Sequence, residues 1–190
     1  MSADDDKIWS QLNKIVTVIP KSYVDALIIL SDRLDSKNLK WVIDGDLAEC
    51  LKVIPVTPDK LEIVTSKEGA CGIFEELKDF NPSPLAEKTF RLPRDALVGE
   101  KTYSVFSKSH YFDFYLKDVP VIVQGDLQFR VNEWDWGEVY DFDPDYVFVT
   151  GKKIAVTPLE IRYQLYQSLG WFDRANNIHT KLYSLRKSDV

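Results

Sequence analysis

Two cysteines, two histidines and one methionine are all that 190 residues offer in soft or imidazole side chains. Cys50 and Cys71 fit no metal or redox spacing, so no disulfide framework and no cysteine-rich metal site is implied, and two buried free thiols in a reducing compartment are expected. His110 and His179 fit no ligand spacing either and are read as ordinary partly buried or surface side chains. Basic charge is also short: 24 Lys and Arg face 30 Asp and Glu, giving a net charge of −6 and a pI near 5.0. With no basic stripe for a phosphate backbone, nucleic acid is excluded as a main partner. Long apolar runs are missing. The longest cluster, "ALIIL", is far below the roughly 20 residues of a membrane span, and the start, "MSADDDKIW", is acidic where a leader would be basic. No membrane partner and a cytoplasmic location are expected. The chain has no internal repeat and no low-complexity linker.

What is present is core. A content of 45% hydrophobic and 13% aromatic residues supports one sizeable globular unit. Ser22 with Asp25 reads as the start of a helix over 22–34, with Val24, Leu27, Ile28 and Leu34 on one stripe. "LKWVID" reads as a buried strand ending at Gly45. Asp46 with Glu49 makes a capping-box pattern for a helix through about Val53. "KLEIVTS" alternates, so Lys60 and Glu62 share one face while Leu61 and Ile63 share the other. Ser66 caps the next helix, whose inward stripe is Ala70, Ile73, Phe74, Leu77 and Phe80, and a loop rich in Pro and Asn follows. From Lys101 the pattern is mostly β. Two strands, "YSVFSKSHYFDFYL" and "VPVIVQGDLQFRV", pair through "KDV", and Pro120 places the second at an edge or a bulge. "DYVFVTGKKIAV" is a hairpin about Thr150-Gly151. Thr157-Pro158-Leu159-Glu160 carries a cap, a first-turn proline and a capping-box glutamate for a C-terminal helix that Gly170 ends, with a further helix from Trp171. The aromatic group Trp134, Trp136, Tyr140 and Phe142 reads as core or a partner-facing patch, and "DFDPDY" as a solvated turn.

"VIDGDLAECLKVIPVTPDKLEIVTSKEGA", "SKSHYFDFYLKDVPVIVQGDLQFR" and "VYDFDPDYVFVTGKKIAVTPLEIRYQLYQSLGWFDRANNI" together resemble the small prokaryotic nucleotidyltransferase-like proteins of the polymerase-β superfamily, over about residues 39–178. The resemblance implies an α/β (α+β) fold with a mixed β-sheet flanked by helices. It divides the chain into a core over 1–156 with an N-terminal helix, and a C-terminal helical segment over 157–190 packed on it. In that family a strand ends in a glycine turn that lets backbone approach a triphosphate. The next strand carries two acids one residue apart, and a later strand carries a third. The chemistry needs all three, because two Mg²⁺ ions about 4 Å apart must hold an attacking hydroxyl and a leaving pyrophosphate in line.

Carried over residue by residue, the resemblance keeps the frame and loses the charges. Gly45 matches the first turn glycine, but Asp46 follows where a small residue is expected, setting a carboxylate where phosphate oxygens would lie. Lys60 stands at the first metal acid, Glu62 at the second, and Ile122 at the third, with Gln124, Gly125 and Asp126 continuing the pattern. Nucleotide contacts would fall to Gly45, Asp46, Lys60 and Glu62. Metal contacts would fall to Glu62, or to Asp59 if the register slips by one residue, which would turn the side chain to the other face. Asp113 in "FDFYL" is the remaining candidate for a third acid. The reading that follows is a non-catalytic protein of this fold that binds a nucleotide or another protein, with no resident cofactor. The alternatives are an active nucleotidyltransferase using Mg²⁺ or Mn²⁺, or an antitoxin-like partner of a basic toxin.

Overall fold

The computed structural model describes residues 19–188, and side chains as far as residue 183. The order is α1 (Lys21–Asp35), β1 (Val42–Asp44), α2 (Gly45–Leu51), β2 (Leu61–Thr65), α3 (Lys67–Glu76) and a 3₁₀ turn at Lys78–Phe80. There follow β3 (Ala86–Arg91), β4 (Ala96–Val98), β5 (Lys101–Tyr103), β6 (Val105–Leu116), β7 (Val119–Val131), β8 (Asp145–Val149), β9 (Lys152–Val156), α4 (Leu159–Ser168) and α5 (Phe172–Ser188). Seven strands form one mixed sheet in the order β3-β6-β7-β2-β1-β9-β8, and β4 pairs with β5 apart from it. β1 is antiparallel to β2 and parallel to β9, and β2 is parallel to β7. No helix of the described residues is long and apolar enough to cross a membrane.

The sheet has two unlike faces because side chains alternate along each strand. Ile43, Leu61, Ile63, Val121, Val123, Phe112 and Ile154 point to the face covered by α1 and α3, which supply Leu27, Leu30, Leu34, Ala70 and Ile73. Each fully buried Leu or Ile in this layer contributes about 1.5–3 kcal/mol. Gly125 sets how close α3 can come. A Cβ there would lie 2.8 Å from the Ser66 carbonyl oxygen and 2.8 Å from the Ala70 Cβ. Ser66 caps α3 as its sequence indicates, accepting from the Gly69 N–H at 3.0 Å. A second apolar cluster, with Ile54, Val105, Leu159, Tyr166, Trp171 and Ile178, fastens α4 and α5 beside the other face.

Several local expectations are corrected. Ser22 lies inside α1, whose cap position is Pro20 and carries no side-chain bond. The pattern Asp46/Glu49 is not a capping box: α2 begins at Gly45, ends at Leu51, and both carboxylates pair with arginines of the C-terminal helices. Thr157 does not cap α4 either, because its hydroxyl bonds Asp44 Oδ1 at 2.7 Å. Residues between the 3₁₀ turn and Lys101 are not all loop, since β3 and β4 lie there; β3 is exposed at five of six positions, which erases the alternation that reveals a strand. Pro120 sits in an interior strand. β2 begins opposite Val121, so no β2 residue stands opposite the proline in the register. Cys50 is buried, but Cys71 is exposed, and both are free.

Candidate functional site

The face opposite the main core carries the charged residues. β1 ends at Asp44, whose register partner on β2 is Glu62, and Glu62 in turn faces Ile122 of β7. The three side chains therefore share one side of the sheet in adjacent strands. Lys60 precedes β2 on the same side and sets its ammonium 3.2 Å from Glu62 Oε1 and 3.2 Å from Asp59 Oδ1. A cavity of about 450 Å³ opens here, with Gly45, Asp46, Asp59, Lys60, Glu62 and Ile122 all in its wall. The positions singled out in the sequence thus converge. Asp59 is the outermost, with 77% of its side chain exposed.

Gly45 makes the turn from β1 into α2 with φ +68, a conformation that favours glycine. A Cβ at Gly45 would sit 2.6 Å from Glu62 Oε1, so the glutamate carboxylate lies directly against the turn backbone. Burial pushes the Glu62 carboxyl above its ordinary range; the Lys60 ammonium opposes that push and the neighbouring Asp44 adds to it. At Lys60 burial disfavours the charge, yet Glu62 and Asp59 outweigh it and the ammonium pKa is raised.

Arg162, Tyr166 and Arg174 line the same cavity and belong to a largely buried ionic network that the sequence pattern does not reveal. Arg162 of α4 reaches Glu49 Oε1 through Nε at 3.1 Å and Nη2 at 2.7 Å, and Asp44 Oδ1 through Nη1 at 3.3 Å. Tyr166 donates its hydroxyl to Glu49. Arg174 of α5 bonds Glu49 Oε2 at 3.0 Å and also holds Asp46. Burial works against the Arg162 charge, but Asp44, Tyr166 and Glu49 surround it and its pKa is driven well up. The Tyr166 hydroxyl is pushed far above its usual value, chiefly by burial. Asp46 therefore does not hang free at the turn; its carboxylate is committed to Arg174.

The remaining candidates fall outside this cluster. Asp113 is the β6 register partner of Ile122, as an alternating strand allows, but it accepts from the Ser83 hydroxyl at the sheet's outer part. His179 packs its ring 5.9 Å from that of Tyr163 on the C-terminal helices. The aromatic group divides: Trp134 is 53% exposed, whereas Tyr140 tucks against Phe129 and Phe142. Burial and then the charge of Asp44 raise the Tyr140 hydroxyl strongly. A larger cavity, about 800 Å³, has Val42, Val64, Tyr140 and Ala155 in its wall. Its wall also carries charge, with Lys40, Asp126, Asp141, Asp143 and Lys153, but the metal and nucleotide positions matched by the resemblance line the smaller cavity. Among the described residues, no three or more His, Cys, Asp or Glu side chains are grouped to hold a metal ion.

No family model matches the chain, and no curated protein matches it. Among solved structures, the chain is similar to a candidate nucleotidyltransferase from Thermotoga maritima, with a TM-score of 0.61 and 26% identity over 87% of this chain and 96% of that one. It is also matched by ANT(2″)-Ia solved with adenylyl-2″-tobramycin, at a TM-score of 0.48 and 9% identity over 84% of this chain and 89% of that one, a likeness too slight to argue from. With its mixed seven-stranded sheet, its helices and the Thermotoga structure alongside it, the chain has the nucleotidyltransferase fold.

Proposed function

We propose that this chain is a non-catalytic member of its fold, and that the cleft at Gly45, Lys60 and Glu62 binds a nucleotide without transferring it. The observation that carries this is the position of Lys60. Its ammonium, 3.2 Å from two carboxylates, occupies the ground on which the resemblance puts a metal acid. A Mg²⁺ ion about 4 Å from a fixed ammonium is repelled by several kcal/mol even at an effective dielectric of about 20. Ile122 adds no ligand at the third position, so the residues present do not fit a two-metal centre, and no transfer step is assigned to them. An ammonium can still meet a phosphate group directly, as one metal charge would. The C-terminal helical segment, described over residues 157–188, acts in this reading as one wall of the cleft, forming a single globular unit with the core, described over residues 19–156.

An active enzyme has one observation in its favour, the placing of Asp44 opposite Glu62 on the neighbouring strand. Asp44 is already held by Arg162 and Thr157, which keep its carboxylate inside the protein. The test is calorimetric titration with ATP and GTP, with and without Mg²⁺ or Mn²⁺, together with an assay for released pyrophosphate. Metal-independent binding that Lys60→Met abolishes supports the proposal. Metal-dependent pyrophosphate release above a boiled control, or no binding of either nucleotide, overturns it.

A further inference from the structure

The seven-stranded sheet ends at β8, which among the described residues has β9 on one side and no strand on the other. An edge of this kind presents unpaired N–H and C=O groups, and soluble proteins commonly shield one with lysine, proline or a bulge within the strand. β8, "DYVFV", has none of these. It pairs with β9 in unbroken register over all five residues, and Tyr146 and Phe148, both on the face that carries the cleft, are each 53% exposed.

We infer that β8 is the dimer interface of this protein, pairing antiparallel with β8 of a second copy about a two-fold axis through Val147 to give one continuous sheet. The sequence of the strand is self-complementary about that residue. Antiparallel pairing must keep residues of one face opposite one another, so the allowed registers are centred on a residue. Centring on Val147 is the register that uses all five positions. It sets Tyr146 opposite Phe148 of the second copy, twice by symmetry, and such cross-strand aromatic pairs are favoured contacts. Val147 meets Val147, and Asp145 meets Val149, so no like charges stand opposite.

Charge along the edge points to the same partner. Asp141 and Asp143 precede its start and Lys153 follows the turn at its end, while Asp145 and Lys152 are already paired within the chain with Lys52 and Asp32. An antiparallel second copy brings acidic end to basic end, whereas a parallel one would bring like to like. Five residue pairs make a small interface, so self-association is reversible, with a dissociation constant of about 1–100 µM.

The test is sedimentation velocity on the full chain from about 1 to 300 µM, a range that spans such a constant. The expected species moves from 21.9 kDa to twice that mass as concentration rises. Phe148→Glu should weaken the dimer at least tenfold while the thermal melt stays cooperative. For the register, Val147→Cys in a Cys71→Ser background should cross-link under mild oxidation through the substituted positions of two chains, read by peptide mapping. That arm decides the matter if Phe148→Glu fails to fold. A chain that stays monomeric throughout, or a dimer that neither yields to Phe148→Glu nor cross-links at position 147, overturns the inference.

Discussion

Glu49 and Arg162 stand 113 positions apart in the chain, yet the guanidinium meets one carboxylate oxygen through both Nε and Nη2, with both side chains under 10% exposed. This contact ties α2 to α4 and, through Asp44, to the last residue of β1. The turn at Gly45 is thereby framed between two partners of one arginine.

Removing the arginine should be costly. Arg162→Met leaves Asp44 and Glu49 buried with much of their charge uncompensated, and breaking one side of a buried ion pair typically destabilises by about 3–5 kcal/mol. For a chain of this size that lowers the melting temperature by about 10 °C. Arg162→Met/Glu49→Gln should recover part of the loss, since it removes one stranded charge. Equal melting of Arg162→Met and wild type would show that the network carries no net stability.

Gly45 makes a second, separable claim. Gly45→Ala combines an unfavourable positive φ with a Cβ 2.6 Å from Glu62 Oε1, and should destabilise by about 2 kcal/mol or more. Trimming the obstructing side chain in Gly45→Ala/Glu62→Ala should return the part due to the clash and leave about 1 kcal/mol for the backbone. Urea unfolding of the two single variants and the double variant measures both parts. Strict additivity would mean that Glu62 does not press on the turn.

The shared face of Lys60 and Glu62 could be read from period, the joining of Gly45 and Ile122 to them only from the family resemblance, and the part that neither reveals has a physical cause. Lys60 and Glu62 share a face because side chains alternate in any strand, and Ser66 caps α3 because capping is local. Glu49 was misleading for the same reason. Three residues after Asp46 it fits a capping box, and only the folded chain brings Arg162 within reach to claim it. Thr157 likewise resembles a cap but bonds a strand 113 positions away. β3 was hidden because a strand exposed at nearly every position has no apolar alternation to show.

The raised carboxyl of Glu62 gives stability a definite sign against pH. A group whose folded pKa is above its unfolded value favours the folded state while it is protonated, and that advantage is lost as pH rises through the folded pKa. Glutamine imitates the protonated form at every pH. The melting temperature of Glu62→Gln minus that of wild type should therefore climb as pH goes from the ordinary glutamate range toward neutrality. Lys60 and Arg162, whose pKa values are raised, keep their charges over that window and do not imitate the trend. A difference that stays flat from about pH 4 to pH 8 would mean that Glu62 titrates as an exposed carboxylate does.

The final prediction asks whether missing charges alone separate this cleft from a metal centre. Lys60→Asp removes the ammonium beside Glu62, and Ile122→Glu supplies a carboxylate at the register partner of Glu62. Asp46→Ser gives the turn the small residue that the resemblance expects, and Arg174 keeps Glu49 as a partner after losing Asp46. Metal carboxylates act as a unit, so each single change leaves an incomplete cage and should bind little. The triple variant should bind Mn²⁺ measurably by calorimetry where wild type does not, and its thermal melt should remain cooperative. If both proteins fold and neither binds Mn²⁺, the three positions do not converge as a metal site. Tight binding by the wild type would instead mean that Lys60 moves aside and that the native cleft is already competent.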